Sequence, residues 1–578
     1  MKSRNKALRI CLMVVVGIIA VRLFFIQIVE HDDWQARADE QQTFTNTIVA
    51  KRGEIYMMDG NESTAPIAMN ETVWSVIVDP KVVDEEKVKQ VVDANASEQK
   101  IASWDEVFAN KELRYYVVAK DVKRAEAEKI ASENINGVVL QENTHRVYPE
   151  GELASQLLGF VNIEGSGQYG VEGSLDKLLA GENGLLKTTK DINNVILSIG
   201  ENNVRLPAKN GETVVLSIDR NLQHGVEKIL TNAVGRTTAT NASAVIMNPR
   251  TGQVLAMANV PNYDPANYAK VEDAKQFINY TLEEPYEPAS VCKVFTFATA
   301  INEGVMTPET TYTNTGSVEI DGKTIENAYK GQLGTINMQT VLDYSLNTGS
   351  TQALRLLSGS ETEINESGRQ KLYDYYYNRF GLGQYTNIEL AESPGYIVGP
   401  NDGWAMDLTY ANMTFGQGLN LTMIQVASAF SSVVNGGKYY TPTVVAGVMK
   451  NGEFEKKELQ PAVRETVTEE TSATMRNMLR GTRVSRQANG TDKAGYFVGG
   501  KTGTAQVILE DGSYSDAMGE TIASYVGFGG TDGELPQYVI MVKIWGKGQH
   551  MEGEKHAMPI FDELSNYTQN YLKIKPKA

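Results

Sequence analysis

The sequence predicts an α+β protein with two or more domains. Its 578 residues exceed the size of one ordinary domain. Residues 242–247 and 253–258 are strand-like runs on either side of the turn-forming sequence 248–252, which is typical of a β-hairpin. Mostly helical sequence separates this hairpin from a second strand-rich region near residue 500. Strands of one sheet with helices between them indicate α+β organisation.

The N-terminal segment predicts a membrane anchor. Residues 10–29 are apolar apart from Arg22 and Gln27, and twenty such residues can span a bilayer. Basic residues before the run place residues 1–9 in the cytoplasm and the rest of the chain outside. Residues 36–38 imitate a signal-peptide cleavage site, but the apolar run is too long for a signal peptide. We interpret Arg22 as a side chain that snorkels outward, and a partner helix remains the alternative.

Residues 30–206 predict an α+β pedestal domain. Residues 72–78 form a strand-like run closed by Asp79 and Pro80, and 85–92 and 122–131 are typical of exposed helices with mixed charges. This region contains no group of residues that would form a reactive site. We therefore expect it to hold the following domain at a distance from the membrane.

Residues 207–578 predict a second domain. Its first elements are a strand at 212–219 and a helix at 221–234, followed by the hairpin, and the last is a helix at 559–571. The formal charge of the chain is −17. This argues against nucleic-acid binding, because phosphate contacts need a basic surface.

Within this domain, residues 287–304 predict one buried helix that carries a nucleophile. Pro288 suits the helix start and Gly304 its end, and apolar residues lie on nearly every face between them. Ser290 and Lys293 share a face one turn apart, which places a nucleophile beside a base. Burial should lower the Lys293 pKa, and the helix N-terminus offers N–H groups to a forming anion. A Ser and a Lys three residues apart also occur by chance, so this pair alone does not establish a catalytic site.

Two further motifs follow in the sequence, Ser345-x-Asn347 and Lys501-Thr502-Gly503-Thr504. The sequence around Lys501 is rich in β-formers, so we place this motif on a strand. Side chains alternate along a strand, and Lys501 and Thr502 are therefore expected to point in opposite directions. Gly503 would leave bare backbone against which a substrate can lie.

In this order the three motifs resemble those of penicillin-binding proteins and serine β-lactamases. Segments 52–56, 146–149 and 170–173 resemble class B penicillin-binding proteins, as do 263–265 and 416–418 with Thr422 and Gln425, so the likeness covers nearly the whole chain. It implies a transpeptidase domain with an antiparallel sheet and helices, after an anchor and an extended pedestal of the dimerisation type. Met57 and Met58 depart from the Asp and Arg usual in the family, which puts one pedestal contact in doubt.

The resemblance implies a D,D-transpeptidase that cross-links peptidoglycan stem peptides through an acyl-enzyme on Ser290. Lys293 would deprotonate Ser290, Asn347 would orient Lys293 and the donor amide, and Ser345 and Lys501 would carry protons to and from the leaving and incoming nitrogens. Thr502 and Thr504 would bind the donor carboxylate, and the N–H groups of Ser290 and Thr504 would form the oxyanion hole. β-Lactams would acylate Ser290. The sequence does not decide which lysine is the base in each step.

The resemblance also implies a location and partners. The catalytic domain would face the outside of a bacterial plasma membrane, with no cofactor, and the absence of a glycosyltransferase domain indicates class B. A SEDS-type membrane glycosyltransferase would polymerise the glycan, and other membrane proteins of cell-wall synthesis would be partners. The segment 315–347 looks more like division-septum members than elongation members. The alternatives are an elongation enzyme, an anchored serine β-lactamase or β-lactam sensor, and a scaffold.

Other chemistries fit the sequence less well. Residues 495–502 match the P-loop pattern, but a strand and not a helix is expected after them, so no nucleotide site is predicted. The five histidines show no metalloprotease spacing, no G-x-S-x-G occurs, and no metal is expected. His550 and His556 lie in a loop that we expect to be solvated. Cys292 lies on another face of its helix than Ser290 and is interpreted as a core residue.

Overall fold

A computed structural model describes residues 2–34, 37, 43–60, 63–109, 113–190, 196–197, 204–507, 515 and 519–577. The chain forms two compact units. One unit contains Met1–Gly53 and Ala180–Gly211, and the other contains Glu54–Leu179 and Glu212–Ala578. Most of the predicted pedestal therefore shares a unit with the second half of the chain. The reason is a shared sheet, which is described below.

The described secondary structure is mixed. The strands are β1 (Thr43–Ile48), β2 (Ile55–Asp59), β3 (Ser63–Val78), β4 (Tyr116–Val122), β5 (Val138–Val147), β6 (Phe160–Val161), β7 (Gly167–Gln168), β8 (Gly184–Lys190), β9 (Ile196–Leu197), β10 (Val204–Leu206), β11 (Thr213–Asp219), β12 (Asn241–Met247), β13 (Val254–Val260), β14 (Thr311–Asn314), β15 (Ser317–Ile320), β16 (Lys323–Glu326), β17 (Gly334–Asn337), β18 (Lys438–Tyr439), β19 (Val445–Lys450), β20 (Glu453–Lys456), β21 (Arg464–Glu465), β22 (Tyr496–Gln506), β23 (Thr521–Thr531) and β24 (Tyr538–Trp545). The α-helices are α1 (Lys2–Phe24), α2 (Glu85–Asn95), α3 (Trp104–Ala109), α4 (Arg124–Ser132), α5 (Ser155–Leu158), α6 (Gly170–Ser174), α7 (Asp176–Ala180), α8 (Arg220–Gly235), α9 (Lys293–Asn302), α10 (Met338–Tyr344), α11 (Asn347–Leu357), α12 (Glu366–Tyr373), α13 (Asp407–Met413), α14 (Met423–Val434), α15 (Glu469–Ser485) and α16 (Met558–Tyr571). The predicted α+β class is confirmed.

The first unit contains α1 and a small antiparallel sheet. A π-helical turn, Phe25–Val29, continues α1. Among the described residues, Ser3–Val29 is the one helical stretch long and apolar enough to cross a membrane, and an 18-residue window within it has a mean hydropathy of 2.6. It is consistent with the predicted anchor at 10–29. In the sheet of this unit, β8 pairs with β1, β9 and β10.

The second unit contains a mixed sheet that joins distant parts of the sequence. Its strand order is β20-β19-β11-β2-β3-β4, and β5 also pairs with β3. Because β2 pairs in parallel with β11, the residues after Glu54 share a sheet with the second half of the chain. The predicted strand at 72–78 is the C-terminal half of β3, and the helix predicted at 122–131 begins only at Arg124, after β4 has ended at Val122.

A five-stranded antiparallel sheet lies at the centre of the second half of the chain, in the order β13-β12-β24-β23-β22. Its residues alternate between two cores. Ala244 and Ile246 pack in the core that contains α8 and α16, whereas Val245 and Met247 pack in the core that contains α9 and α14. The predicted hairpin is confirmed as β12–β13, and β22 lies at one edge of the sheet.

The helix predicted at 287–304 is real but has two parts. A 3₁₀ turn, Ala289–Cys292, precedes α9. The chain cannot be regular here because Ala289 has a φ of 49°, in the left-handed region. In α9 itself every residue from Lys293 to Ala300 is buried, as the apolar sequence predicted.

The packing of α16 on the central sheet can be tested with Gly527→Ala. A Cβ at Gly527 would lie 2.5 Å from the buried ring of Phe561 and 2.8 Å from the Gly499 carbonyl oxygen. We expect the overpacked variant to lose about 1–3 kcal/mol of stability, measured as a lower melting temperature. The control is Gly235→Ala, at the exposed end of α8, where a Cβ meets nothing within 4 Å and stability should not fall. Equal melting temperatures for the two variants would contradict this packing.

Candidate active site

The site begins with Ser290 and Lys293. The 3₁₀ turn before α9 leaves Ser290 partly exposed, and the Lys293 side chain is buried. Lys293 Nζ lies 3.0 Å from Ser290 Oγ. The predicted contact between hydroxyl and amine is therefore present in the structure.

The loop between α10 and α11 closes around the same amine. Ser345 has a φ of 56°, and this left-handed residue turns the chain so that its carbonyl and its hydroxyl both face Lys293. Lys293 Nζ lies 2.5 Å from Ser345 O, 3.1 Å from Ser345 Oγ and 2.8 Å from Asn347 Oδ1. Asn347 Nδ2 donates to the Glu326 carbonyl at 2.9 Å, which directs Oδ1 toward Lys293.

Lys501 completes the group from the edge strand β22. Its Nζ lies 3.0 Å from Ser345 Oγ, so the Ser345 hydroxyl lies between two lysine amines. The Lys501 side chain is only 2% exposed. The structure thus brings together Ser290, Lys293, Ser345, Asn347 and Lys501 from three distant parts of the sequence.

Burial changes the proton affinity of both amines. It lowers the pKa of Lys293 well below its ordinary value, and the neighbouring charge of Lys501 lowers it further. Burial also lowers the pKa of Lys501 to about 7, although Glu554 and Asp343 raise it and Arg486 lowers it. An amine that is neutral near neutral pH can accept a proton from a hydroxyl.

A cleft with a volume of about 560 Å³ opens beside these residues. Thr502 and Thr504 line it with Lys501, because β22 lies at the edge of the sheet. The Thr502 hydroxyl is 3.4 Å from Lys501 Nζ, so the two side chains serve one cleft despite the predicted alternation. Thr504 Oγ1 accepts a hydrogen bond from Gly553 N at 2.9 Å.

Gly503 is a point of close packing on β22. A Cβ at this position would lie 2.6 Å from the Pro288 carbonyl oxygen and would overlap the Ser524 hydroxyl. The missing side chain therefore lets β22 pack against the segment before Ser290. The expected contact between a substrate and the backbone of Gly503 stays a prediction.

Residues that no motif marked also line the cleft. They include Arg486 at the end of α15, Tyr344 beside Ser345, and Glu552 and Glu554 after β24. His550 lines it as well, and its side chain is 28% exposed, so it keeps contact with solvent. They come from loops and element ends whose positions depend on the whole fold, and nothing in their local sequence indicated a site.

The alternatives from the sequence can be compared with this geometry. Burial raises the pKa of the Cys292 thiol, and Cys292 belongs to the core, which fits its interpretation as a packing residue. Residues 495–502, which match the P-loop pattern, are followed by further residues of strand β22 and not by a helix. Among the described residues, no cluster of three or more His, Cys, Asp or Glu side chains could hold a metal ion.

The fold and the site define a class of protein. A serine hydroxyl in contact with a desolvated lysine, beside an edge strand that carries a second lysine, is the arrangement of serine enzymes that form acyl intermediates with a lysine as base. Residues 242–566 match the family described as the penicillin binding protein transpeptidase domain. Residues 47–216 match the penicillin-binding protein dimerisation domain.

Relatives match over nearly the whole chain. Stage V sporulation protein D of Bacillus subtilis is 30% identical, over 97% of this chain and 84% of that protein. Peptidoglycan D,D-transpeptidase FtsI of Escherichia coli is 28% identical, over 98% of this chain and 92% of that protein. The protein belongs to the penicillin-binding protein transpeptidase family, and its two matched domains make it a class B member.

Solved structures share the fold. A crystal structure of penicillin binding protein 2X from Streptococcus thermophilus has a TM-score of 0.71 at 24% identity, covering 92% of this chain and 81% of that one. Penicillin binding protein 3 from Mycobacterium tuberculosis, complexed with aztreonam, has a TM-score of 0.67 at 24% identity, covering 92% and 98%. These similarities confirm the predicted transpeptidase fold.

The lowered pKa of Lys501 should make the folding stability depend on pH. Between pH 10.5 and about 7 the unfolded chain binds a proton on Lys501 that the folded chain does not, so this residue lowers stability as the pH falls through that window. Lys501→Met removes this effect. We expect its melting temperature, relative to the wild type, to be higher at pH 6 than at pH 10. The exposed Lys323→Met is the control, and a difference that does not change with pH would contradict the lowered pKa.

Proposed function

We propose that the chain is a membrane-anchored peptidoglycan D,D-transpeptidase that acts through an acyl-enzyme on Ser290. The observation that carries this proposal is the 3.0 Å contact between Ser290 Oγ and the buried Lys293 Nζ. Relatives from several bacteria, Escherichia coli among them, are named peptidoglycan D,D-transpeptidase, which supports the same activity. The substrates are stem peptides that end in D-Ala-D-Ala.

The first half of the reaction forms the acyl-enzyme. Lys293 Nζ accepts the proton of Ser290, and Oγ attacks the carbonyl carbon of the penultimate D-Ala. The C–N bond to the terminal D-Ala then breaks. A proton reaches the leaving nitrogen through the Ser345 hydroxyl, which lies 3.1 Å from Lys293 Nζ and 3.0 Å from Lys501 Nζ. Free D-Ala leaves the cleft.

The second half transfers the acyl group to an amine of a neighbouring stem peptide. The amine attacks the ester carbonyl and loses a proton to the group around Ser345, and Ser290 Oγ leaves and recovers its proton. Thr502 and Thr504 hold the carboxylate of the terminal D-Ala during the first half, before that residue leaves, and Asn347 orients Lys293 and the donor amide. The N–H groups of Ser290 and Thr504 stabilise the negative charge that develops on the carbonyl oxygen.

β-Lactams are the inhibitors that this site implies. A strained lactam carbonyl enters the position of the D-Ala-D-Ala carbonyl, and Ser290 attacks it in the same way. One structural relative, penicillin binding protein 3 from Mycobacterium tuberculosis, is described as complexed with aztreonam in one structure and with ampicillin in another, which supports this proposal.

We also propose how the enzyme is anchored in the membrane and which proteins act with it. Residues 10–29 would anchor the chain, with residues 1–9 in the cytoplasm, and residues 30–206 would carry the transpeptidase domain, 207–578, outside the membrane. A SEDS-type glycosyltransferase and other membrane proteins would supply and organise the glycan strands. The resemblance of 315–347 to division members favours the septum over elongation.

Ser290→Ala tests the proposed nucleophile. Full-length protein in detergent is treated with a fluorescent penicillin, and the labelled peptide is mapped by mass spectrometry. We expect the wild type to carry the adduct on Ser290 for many minutes and Ser290→Ala to carry none, because the variant lacks the proposed nucleophile, the hydroxyl 3.0 Å from Lys293 Nζ. The exposed Ser485→Ala should label like the wild type. An adduct on another residue, or release within seconds, would contradict the proposal.

A further inference from the structure

One row of residues across the five-stranded sheet is polar. The paired positions are, strand by strand, Asn259, Ser243, Lys543, Ser524 and Gly503. The side chains of the first four are at most 3% exposed. Val245, Met541 and Val526, two residues away on their strands, belong to the core that contains α9. The row therefore lies on the face of the sheet toward α9 and Ser290.

The segment that leads to Ser290, residues 279–288, lies along this row. At its start, Asn279 Oδ1 accepts a hydrogen bond from Asn259 Nδ2 at 3.0 Å. At its end, the Pro288 carbonyl approaches Gly503 so closely that a Cβ there would lie 2.6 Å from it. The segment thus crosses from β13 to the edge strand β22, where Ser290 follows.

Lys543 holds the middle of the segment. Its Nζ lies 2.7 Å from Glu284 Oε2, and its side chain is fully buried. Three aromatic rings surround the amine: Trp545 with its centroid at 4.1 Å, Tyr286 at 4.9 Å and Tyr280 at 5.8 Å. Glu284, Tyr286 and Tyr280 all belong to the segment, so one cation on β24 contacts it at three positions.

A cation is not needed here for packing alone. Removing a charge from water costs free energy, and an apolar side chain of similar volume often stabilises a core as well or better. Burial lowers the pKa of Lys543, and the Glu284 carboxylate raises it. A single directional ion pair fixes the segment more strictly than apolar contact does, because its geometry is specific.

We infer that Lys543 is a positioning residue that sets the place of Ser290 by holding the segment 279–288 against the sheet. The inference rests on the proposed function, in which Ser290 Oγ is the nucleophile. Ala289, with its left-handed φ of 49°, separates this segment from Ser290, so a shift of the segment moves Oγ relative to Lys293 and β22. Misplacement by about 1 Å can slow a reaction about 100-fold.

Lys543→Met tests the inference in the full-length protein, because methionine fills the same space without the charge. The rate of labelling by a fluorescent penicillin is measured against its concentration, which separates the first-order acylation constant from the binding constant. We expect the acylation constant to fall about 10-fold or more, with the binding constant within about 3-fold. Glu284→Gln should lower the same constant, and the double variant should match Lys543→Met alone.

A control variant removes an ion pair that lies away from the segment 279–288. Arg220 contacts Asp59 and Glu150 from α8, which packs on the other face of the sheet. Arg220→Met should lower the melting temperature and leave the acylation constant at the wild-type value. If Lys543→Met does not fold, Glu284→Gln carries the test, since the Glu284 side chain is 44% exposed.

The outcomes separate the two proposals. If the wild type is not labelled on Ser290, the proposed function fails. If the wild type is labelled and Lys543→Met and Glu284→Gln acylate at its rate, the positioning role is overturned. It is also overturned if Arg220→Met lowers the acylation constant as much as they do, because the effect would then follow stability.

Discussion

The structure depends on one constraint, which is that two lysine amines must share a small desolvated space around a serine hydroxyl. Each amine lies within about 3 Å of Ser345 Oγ, and neither side chain is more than 2% exposed. Two ammonium groups so close in a medium of low polarity would repel each other strongly. At least one amine must therefore be neutral, and a neutral amine beside Ser290 is what an acyl transfer requires.

The fold meets this constraint by bringing together three elements that are distant in sequence. Helix α9 buries Lys293, the left-handed turn at Ser345 supplies a carbonyl and a hydroxyl, and β22 supplies Lys501. The Lys293 amine also has Asn347 as an acceptor, so its desolvation is partly offset by hydrogen bonds. The central sheet also contributes to the site, because its polar row contacts residues 279–288 and so fixes the chain immediately before the nucleophile.

Much of this site could be predicted from the sequence, for physical reasons. Ser290 and Lys293 are local neighbours on a helix, and the apolar sequence of α9 shows that it is buried. The strand around Lys501 also has a clear local pattern. Lys543 and Glu554 gave no such signal, because their surroundings come from strand order and loop positions. The close approach of Pro288 to Gly503 is likewise a tertiary contact that the sequence did not indicate. The sequence also did not indicate that most of the predicted pedestal belongs to the second unit, because the parallel pairing of β2 with β11 leaves no local sequence pattern.

Burial lowers the pKa of Lys293 well below its ordinary value, which favours the neutral amine that can accept the proton of Ser290. This lowered pKa is tested most directly by titrating the Lys293 side chain itself, through its ¹³Cε resonance in lysine-labelled protein, assigned by its loss in Lys293→Arg. We expect a midpoint far below 10.5, the ordinary value for lysine. A midpoint at or near 10.5 would contradict it, because Lys293 would then be charged throughout the range in which the enzyme must deprotonate Ser290.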